Sequence, residues 1–165
     1  MYRIKDFMLM DVINIERKRI GFIKDILISF NNRCLLGFCI SPFRIFNKNL
    51  FVHIQDVITF NSSIVVKDTS IKQGLMISEI RGMDVVDING DLLGMVEDFI
   101  FEKRDFKITG VVVSTGFIRN IIHGKKIFLI KDLILGEKNI LYFSKNSKIS
   151  FLTIPHELRE VNKYE

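Results

Sequence analysis

The sequence predicts an all-β protein: two tandem small barrels of six strands each, followed by a short C-terminal helix. The first observation behind this is an internal repeat. Met10 to Ile28 aligns without a gap to Met83 to Phe101, with Met10/Met83, Asp11/Asp84, Val12/Val85, Ile15/Ile88, Gly21/Gly94 and Asp25/Asp98 identical at an offset of 73. Gly37/Gly110 and Ser41/Ser114 share that offset. After a three-residue insertion it becomes 76, and Ile54/Ile130, Asp56/Asp132, Ile58/Ile134 and Ile64/Ile140 coincide. The second observation is composition. Hydrophobic residues make up 48% of the 165 residues and no Ala occurs, so the best helix former is missing while β-branched and aromatic residues abound. The third is spacing: short apolar runs recur with turn signals every 6–12 residues or so. The expected modules are residues 1–73 and 77–165, the second including the helical tail.

Within each copy a short turn is expected at 5–9 and 78–82, then a first strand at about 10–15 and 83–88. Asn89-Gly90 predicts a type I′ hairpin in the second copy, because both central positions of that turn need positive φ. The first copy has Glu16-Arg17-Lys18-Arg19 there, which predicts a longer turn or one of another type. Long second strands follow at about 19–30 and 92–103, then third strands at 34–41 and 106–114. Val111-Val112-Val113 is apolar on both faces and requires cover on both, from the barrel interior and from the sister module or a partner. Three short strands close each copy, at about 50–54, 57–60 and 64–67 and at 126–130, 133–135 and 140–143. Closure removes exposed edges. The linker, Thr69 to Ile77, has no Pro and one Gly, and does not read as a flexible tether. Thr153 as N-cap, Pro155 in the first turn and the stripe Ile154, Leu158, Val161 predict the terminal helix.

The formal net charge is +5, and it is unevenly placed: residues 1–73 hold 11 Lys and Arg against 6 Asp and Glu, and the remainder holds 13 of each. The basic excess of the first copy is either drift on a solvated surface or a face for nucleic acid or anionic lipid. Arg17, Lys18, Arg19, Arg33 and Arg44 are the residues of that face. No run of about 18 apolar residues suggests a membrane span, and the N-terminus shows no secretory pattern, so a cytoplasmic location is expected. Cys34 and Cys39, five positions apart, fall on opposite faces of a regular strand and read as reduced core thiols.

The repeated pattern resembles the PRC-barrel family. The residues that carry the likeness are Val85, Gly94-Met95-Val96-Glu97-Asp98, Gly110-Val111-Val112-Val113 and Ile130-Lys131-Asp132-Leu133-Ile134. Their counterparts are Val12, Gly21-Phe22-Ile23-Lys24-Asp25, Gly37-Phe38-Cys39-Ile40 and Ile54-Gln55-Asp56-Val57-Ile58. The resemblance is to stand-alone bacterial two-module members, related to the cytoplasmic domain of the reaction-centre H subunit and the C-terminal domain of a ribosome maturation factor. It implies six-stranded barrels that bind other proteins or support assembly, with no shared catalytic residues and no cofactor.

Nothing in the residues argues for chemistry. Gly21, Asp25, Asp56, Gly94, Asp98 and Asp132 recur in both copies, which favours structural roles: a carboxylate four residues after a Gly can accept backbone N–H groups at a bend or bulge. His53, His123 and His156 do not recur and lack metal-ligand spacing. No phosphate loop, nucleophile elbow or Cys-x-x-Cys is present, so no catalytic or metal residue is assigned. Two loops mix large apolar groups with bases: Phe43, Arg44 and Phe46 in one, Phe117, Ile118, Arg119 and Ile121 in the other. They either cap their own barrels or form an exposed patch with a basic rim for a partner. A membrane surface or a second copy of the chain would also accept such a patch. The expected function is a non-catalytic protein-interaction or assembly module; the alternative is an RNA- or ribosome-associated module using the basic face.

Overall fold

The structure, a computed structural model, describes residues 1–43, 48–116 and 124–144. The terminal helix expected at 153–161 lies outside the described residues. So do Arg44, Phe46, Phe117, Ile118, Arg119, Ile121, His123 and His156. The described chain is mostly β and forms two curled sheets. Its strands are β1 (Tyr2–Arg3), β2 (Asp11–Asn14), β3 (Arg19–Ser29), β4 (Cys34–Pro42), β5 (Leu50–His53), β6 (Val57–Phe60), β7 (Ser63–Val66), β8 (Leu75–Met76), β9 (Asp84–Val86), β10 (Leu92–Phe101), β11 (Ile108–Ser114), β12 (Lys126–Leu129), β13 (Leu133–Leu135) and β14 (Asn139–Tyr142). One short helix, α1, spans Ile77–Ile80, and 3-10 turns occupy Ile4–Asp6, Ile54–Asp56 and Ile130–Asp132.

The sheets repeat each other. The first runs β5-β4-β3-β2-β7-β6 and the second β12-β11-β10-β9-β14-β13, each with one parallel pair, β2 with β7 and β9 with β14. Their irregularities repeat as well. The register shifts at Ile20 and Lys24 in β3 recur at Leu93 and Glu97 in β10, and the shift at Leu36 in β4 recurs at Thr109 in β11. Bulges of this kind bend a strand strongly enough for a short sheet to curl. Gly21 and Gly94 occupy matching close approaches: a Cβ would sit 2.2 Å from the Ser41 carbonyl oxygen at one and 2.4 Å from the Ser114 carbonyl oxygen at the other.

The first hairpins correct the expected turns. Asn14 and Asp87 open identical turns. The Asn14 N–H donates to the Lys18 carbonyl and the Asp87 N–H to the Asp91 carbonyl, at 2.9 and 3.0 Å. Each side-chain oxygen then accepts the N–H of residue 18 or 91, at 2.9 Å in both. Only the fourth residue is left-handed, Arg17 at φ +63 and Gly90 at φ +87. The type I′ turn on Asn89-Gly90 is therefore not formed, and the first copy needs no different turn. A side-chain acceptor at the first position dictates this turn, and Asn and Asp supply it equally well. Two further left-handed positions repeat, Leu9 with Gly82 and Arg33 with Phe106.

The two sheets exchange their leading segments. β1, at the start of the first copy, pairs with β10 of the second sheet, Tyr2 opposite Phe101 and Arg3 opposite Ile100. β8, at the start of the second copy, pairs with β3 of the first sheet, Leu75 opposite Ile28 and Met76 opposite Leu27. These registers are related by the repeat offset, so the exchange is reciprocal about an approximate two-fold axis. The axis passes between Cys34 and Lys107, themselves 73 apart, which form a bridge. Around them the Leu35 N–H donates to the Phe106 carbonyl at 3.1 Å and the Ile108 N–H to the Arg33 carbonyl at 2.7 Å.

The interior is one continuous apolar cluster drawn from both copies. Phe7 sits at its centre, its ring 5.4 and 5.7 Å from Phe60 and Phe38 of the first copy and 5.5 Å from Phe101 of the second. Val111 to Val113 are all buried. Val111 and Val113 face this cluster. Val112 stands opposite Asp98 in register, where the leading segment of the first copy docks. Cys39 takes the equivalent place opposite Asp25. Burial pushes its thiol pKa up, and the Asp25 carboxylate adds to the effect.

With one shared core, heat or urea should unfold the chain in a single transition, identical by fluorescence and circular dichroism. Two separated transitions would contradict a common core. Phe7→Ala should lower stability by about 3–5 kcal/mol, and it should destabilise both sheets together. Gly94→Ala, which places a methyl against a backbone carbonyl at a φ of +143, should lower it by about 2–4 kcal/mol.

Candidate functional site

The junction between the sheets is built on the repeated carboxylates. Asp98 is nearly buried, with its side chain 12% exposed. Its Oδ1 accepts the N–H of Phe99 at 2.8 Å and of Ile4 at 3.1 Å, and its Oδ2 accepts from Arg3 Nε at 2.7 Å and Nη2 at 2.6 Å. Asp25 does the same work with fewer donors, taking the N–H of Ile26 at 2.7 Å and of Ser78 at 3.3 Å. Each carboxylate stands beside a bulge, and each holds the leading segment of the other copy. The leading segments also pin themselves: Asp6 accepts the Arg3 N–H at 2.7 Å and Glu79 the Met76 N–H at 2.8 Å. Glu79 also takes Lys72 Nζ at 2.8 Å. That bond, ahead of the one from Met76, lowers the Glu79 carboxyl below its ordinary 4.5.

Asp56 and Asp132 end equivalent 3-10 turns. Their backbone carbonyls accept the N–H groups of Lys67 and Phe143, at 2.8 and 3.0 Å, which ties the sheet ends together. Among the described residues no three of His, Cys, Asp and Glu gather as metal ligands would.

The basic residues of the first copy do not share one face. Arg17 to Lys18 form the tip of the first hairpin, Arg19 begins β3, and Arg33 lies beyond its far end. The strand is 11 residues long, so the two groups are separated by roughly 30 Å. Carboxylates also offset the tip: Lys18 pairs with Glu16 at 2.8 Å, and Arg19 pairs with Asp11 across the hairpin. Arg19 additionally lies over the Phe43 ring, 5.3 Å from its centroid, and Phe43 packs on Phe22 at 6.1 Å. Phe43 therefore shields its own hairpin while remaining about half exposed.

The corresponding hairpin of the second copy lacks the Phe43 ring. Phe22 and Arg19 are replaced by Met95 and Leu92, and Phe43 by Gly116. Leu92 is 64% exposed, Met95 47% and Ile88 at the turn 73%. This apolar strip was not marked by the sequence, because Leu92 and Met95 read as ordinary members of a strand. Comparing the copies position by position would have singled out Leu92 and Met95, whereas Ile88 is matched by Ile15, which is also exposed.

Residues 74–149 match the PRC-barrel domain family. The matched stretch begins just before β8, so the PRC-barrel domain here includes β8 and α1, the elements that dock on the first sheet. A comparison with curated proteins finds no match. No helix among the described residues is long and apolar enough to cross a membrane.

Because four donors converge on Asp98 and two on Asp25, the two carboxylates should respond unequally. Asp98→Ala leaves Arg3 without its partner and should cost about 3–5 kcal/mol. Asp25→Ala loses only backbone donors and should cost about 1–3 kcal/mol, read from urea midpoints. Glu79 has a lowered carboxyl pKa, so its contribution is complete above its unfolded value and disappears as pH falls through the folded one. Below about pH 4.5 the wild type should lose stability that Glu79→Gln lacks at every pH.

Proposed function

We propose that this protein is a non-catalytic assembly module built from two PRC-barrels, and that its partner is another protein. The observation that carries the reading is the strip of Ile88, Leu92 and Met95 on the first hairpin of the second copy. Large apolar side chains grouped on one exposed element are characteristic of a contact surface. The first copy supports it by contrast: its equivalent hairpin carries Arg19 and covers Phe22 with Phe43. The docked barrels provide a rigid body on which such a strip keeps its shape, and the match of residues 74–149 to the PRC-barrel domain supports a binding role. The nucleic-acid alternative has less behind it, since Lys18 and Arg19 face carboxylates and Arg33 stands apart.

The test is affinity capture from native lysate with the wild type and with Leu92→Asp/Met95→Asp, each with and without nuclease. The expected result is a protein bound by the wild type, resistant to nuclease and lost with the double substitution. The substituted positions are solvent-facing, so the unfolding midpoint should stay within about 1 kcal/mol of wild type. Equal capture by both proteins would sink the reading, and loss of all capture after nuclease would replace it with RNA association.

A further inference from the structure

We propose that the junction of the two copies binds a small phosphomonoester of about mononucleotide size. The site is a cleft of about 540 Å3 at the two-fold junction, formed by Asn32 and Arg33 of the first copy and Glu102, Lys107, Leu129 and Lys131 of the second. That volume lies within the usual range for small-molecule sites, roughly 300–1,000 Å3. Three cations and one carboxylate line it. Lys107 is held by Asp105 at 2.6 Å. Arg33 and Lys131 have no ion pair among the described residues. A guanidinium beside an ammonium is well suited to a phosphate, the first binding two oxygens in its plane and the second adding a point charge.

The cleft has two further properties. Its base is fixed: Arg33 holds a left-handed φ of +56 and its carbonyl accepts the Ile108 N–H at 2.7 Å, so the side chain projects from a constrained turn. Its charges are also absent from the other side of the two-fold axis. There the positions equivalent to Arg33, Lys107 and Lys131 are Phe106, Cys34 and Gln55. Phe106 instead stacks on Tyr2, 6.0 Å between centroids. Residues that the fold requires, such as Gly21/Gly94 and Asp25/Asp98, are the same in both copies. The three cations are not, so the scaffold does not demand them.

Glu102 narrows the ligand. A bare anion meets repulsion from this carboxylate, whereas a molecule that carries hydroxyl or amino donors as well as a phosphate also gives the carboxylate a partner. The half-exposed Leu129 offers apolar surface in the same cleft. A nucleoside monophosphate has these features.

The experiment is titration of the full chain with adenosine monophosphate, inorganic phosphate and a short single-stranded RNA, followed by calorimetry and by amide shifts. The expected result is saturable binding of the monophosphate, with shifts at Ile108 and Thr109. Arg33→Gln/Lys131→Gln should weaken it by about tenfold or more while the unfolding midpoint is unchanged. Glu102→Gln should raise the affinity for inorganic phosphate and reduce discrimination between the two. The proposal fails if the monophosphate does not saturate, if the double substitution leaves its affinity unaltered, or if only RNA binds and does so through Arg17 and Lys18.

Discussion

The structure depends on a reciprocal hydrogen bond: the carboxylate at a bulge in one copy accepts backbone N–H groups from the start of the other. A bulge frees backbone donors that a regular ladder would use, and it turns a side chain to a new direction. Asp25 and Asp98 use both effects. Each satisfies the donor of its own following residue and then reaches a segment more than fifty residues away. Without that anchor β1 and β8 are two-residue strands, too short to hold themselves in place. The shared core follows from the anchor, because docking the leading segments brings Phe7 among rings of both sheets.

The copies have kept what holds them together and changed what faces outward. The glycines that meet Ser41 and Ser114, the bulges and three left-handed positions coincide. Two groups of outward differences stand out, at the first hairpin and at the cleft by the axis. At the hairpin, Arg19 and Phe22 become Leu92 and Met95. At the cleft, Phe106 and Gln55 stand opposite Arg33 and Lys131. A repeated fold with unlike surfaces can hold two different partners while folding as one unit.

Much of this was legible in the chain, and the illegible parts have a common cause. The repeat alignment located the strands, the matching glycines and the paired carboxylates, because each depends on residues near in sequence. Asn89-Gly90 misled because the turn is decided at its first position, by Asn14 and Asp87, whose side chains accept the N–H of residues 18 and 91 respectively. The exchange of β1 and β8 left no local mark. Tyr2-Arg3-Ile4 and Leu75-Met76-Ile77 would extend their own sheet as readily as the other, and only the packing of the complete chain selects between the two. The dispersal of Arg33 from the basic tip, and its meeting with Lys131, are likewise products of the two-fold arrangement.

The exchange also sets an order of events during synthesis. Tyr2 and Arg3 pair with Phe101 and Ile100, so these residues wait for partners made nearly a hundred residues later. The first sheet, by contrast, receives its extra strand from residues 75 and 76, soon after its own strands are complete. Until β10 emerges, Phe7 has no second-copy ring to meet and the leading segment remains exposed with its apolar side chains. Contacts separated by nearly a hundred residues close slowly, and a nascent chain in that state offers its unpaired β1 to any neighbour. The interval between completing the first sheet and emerging β10 is thus the time of greatest risk of association between growing chains.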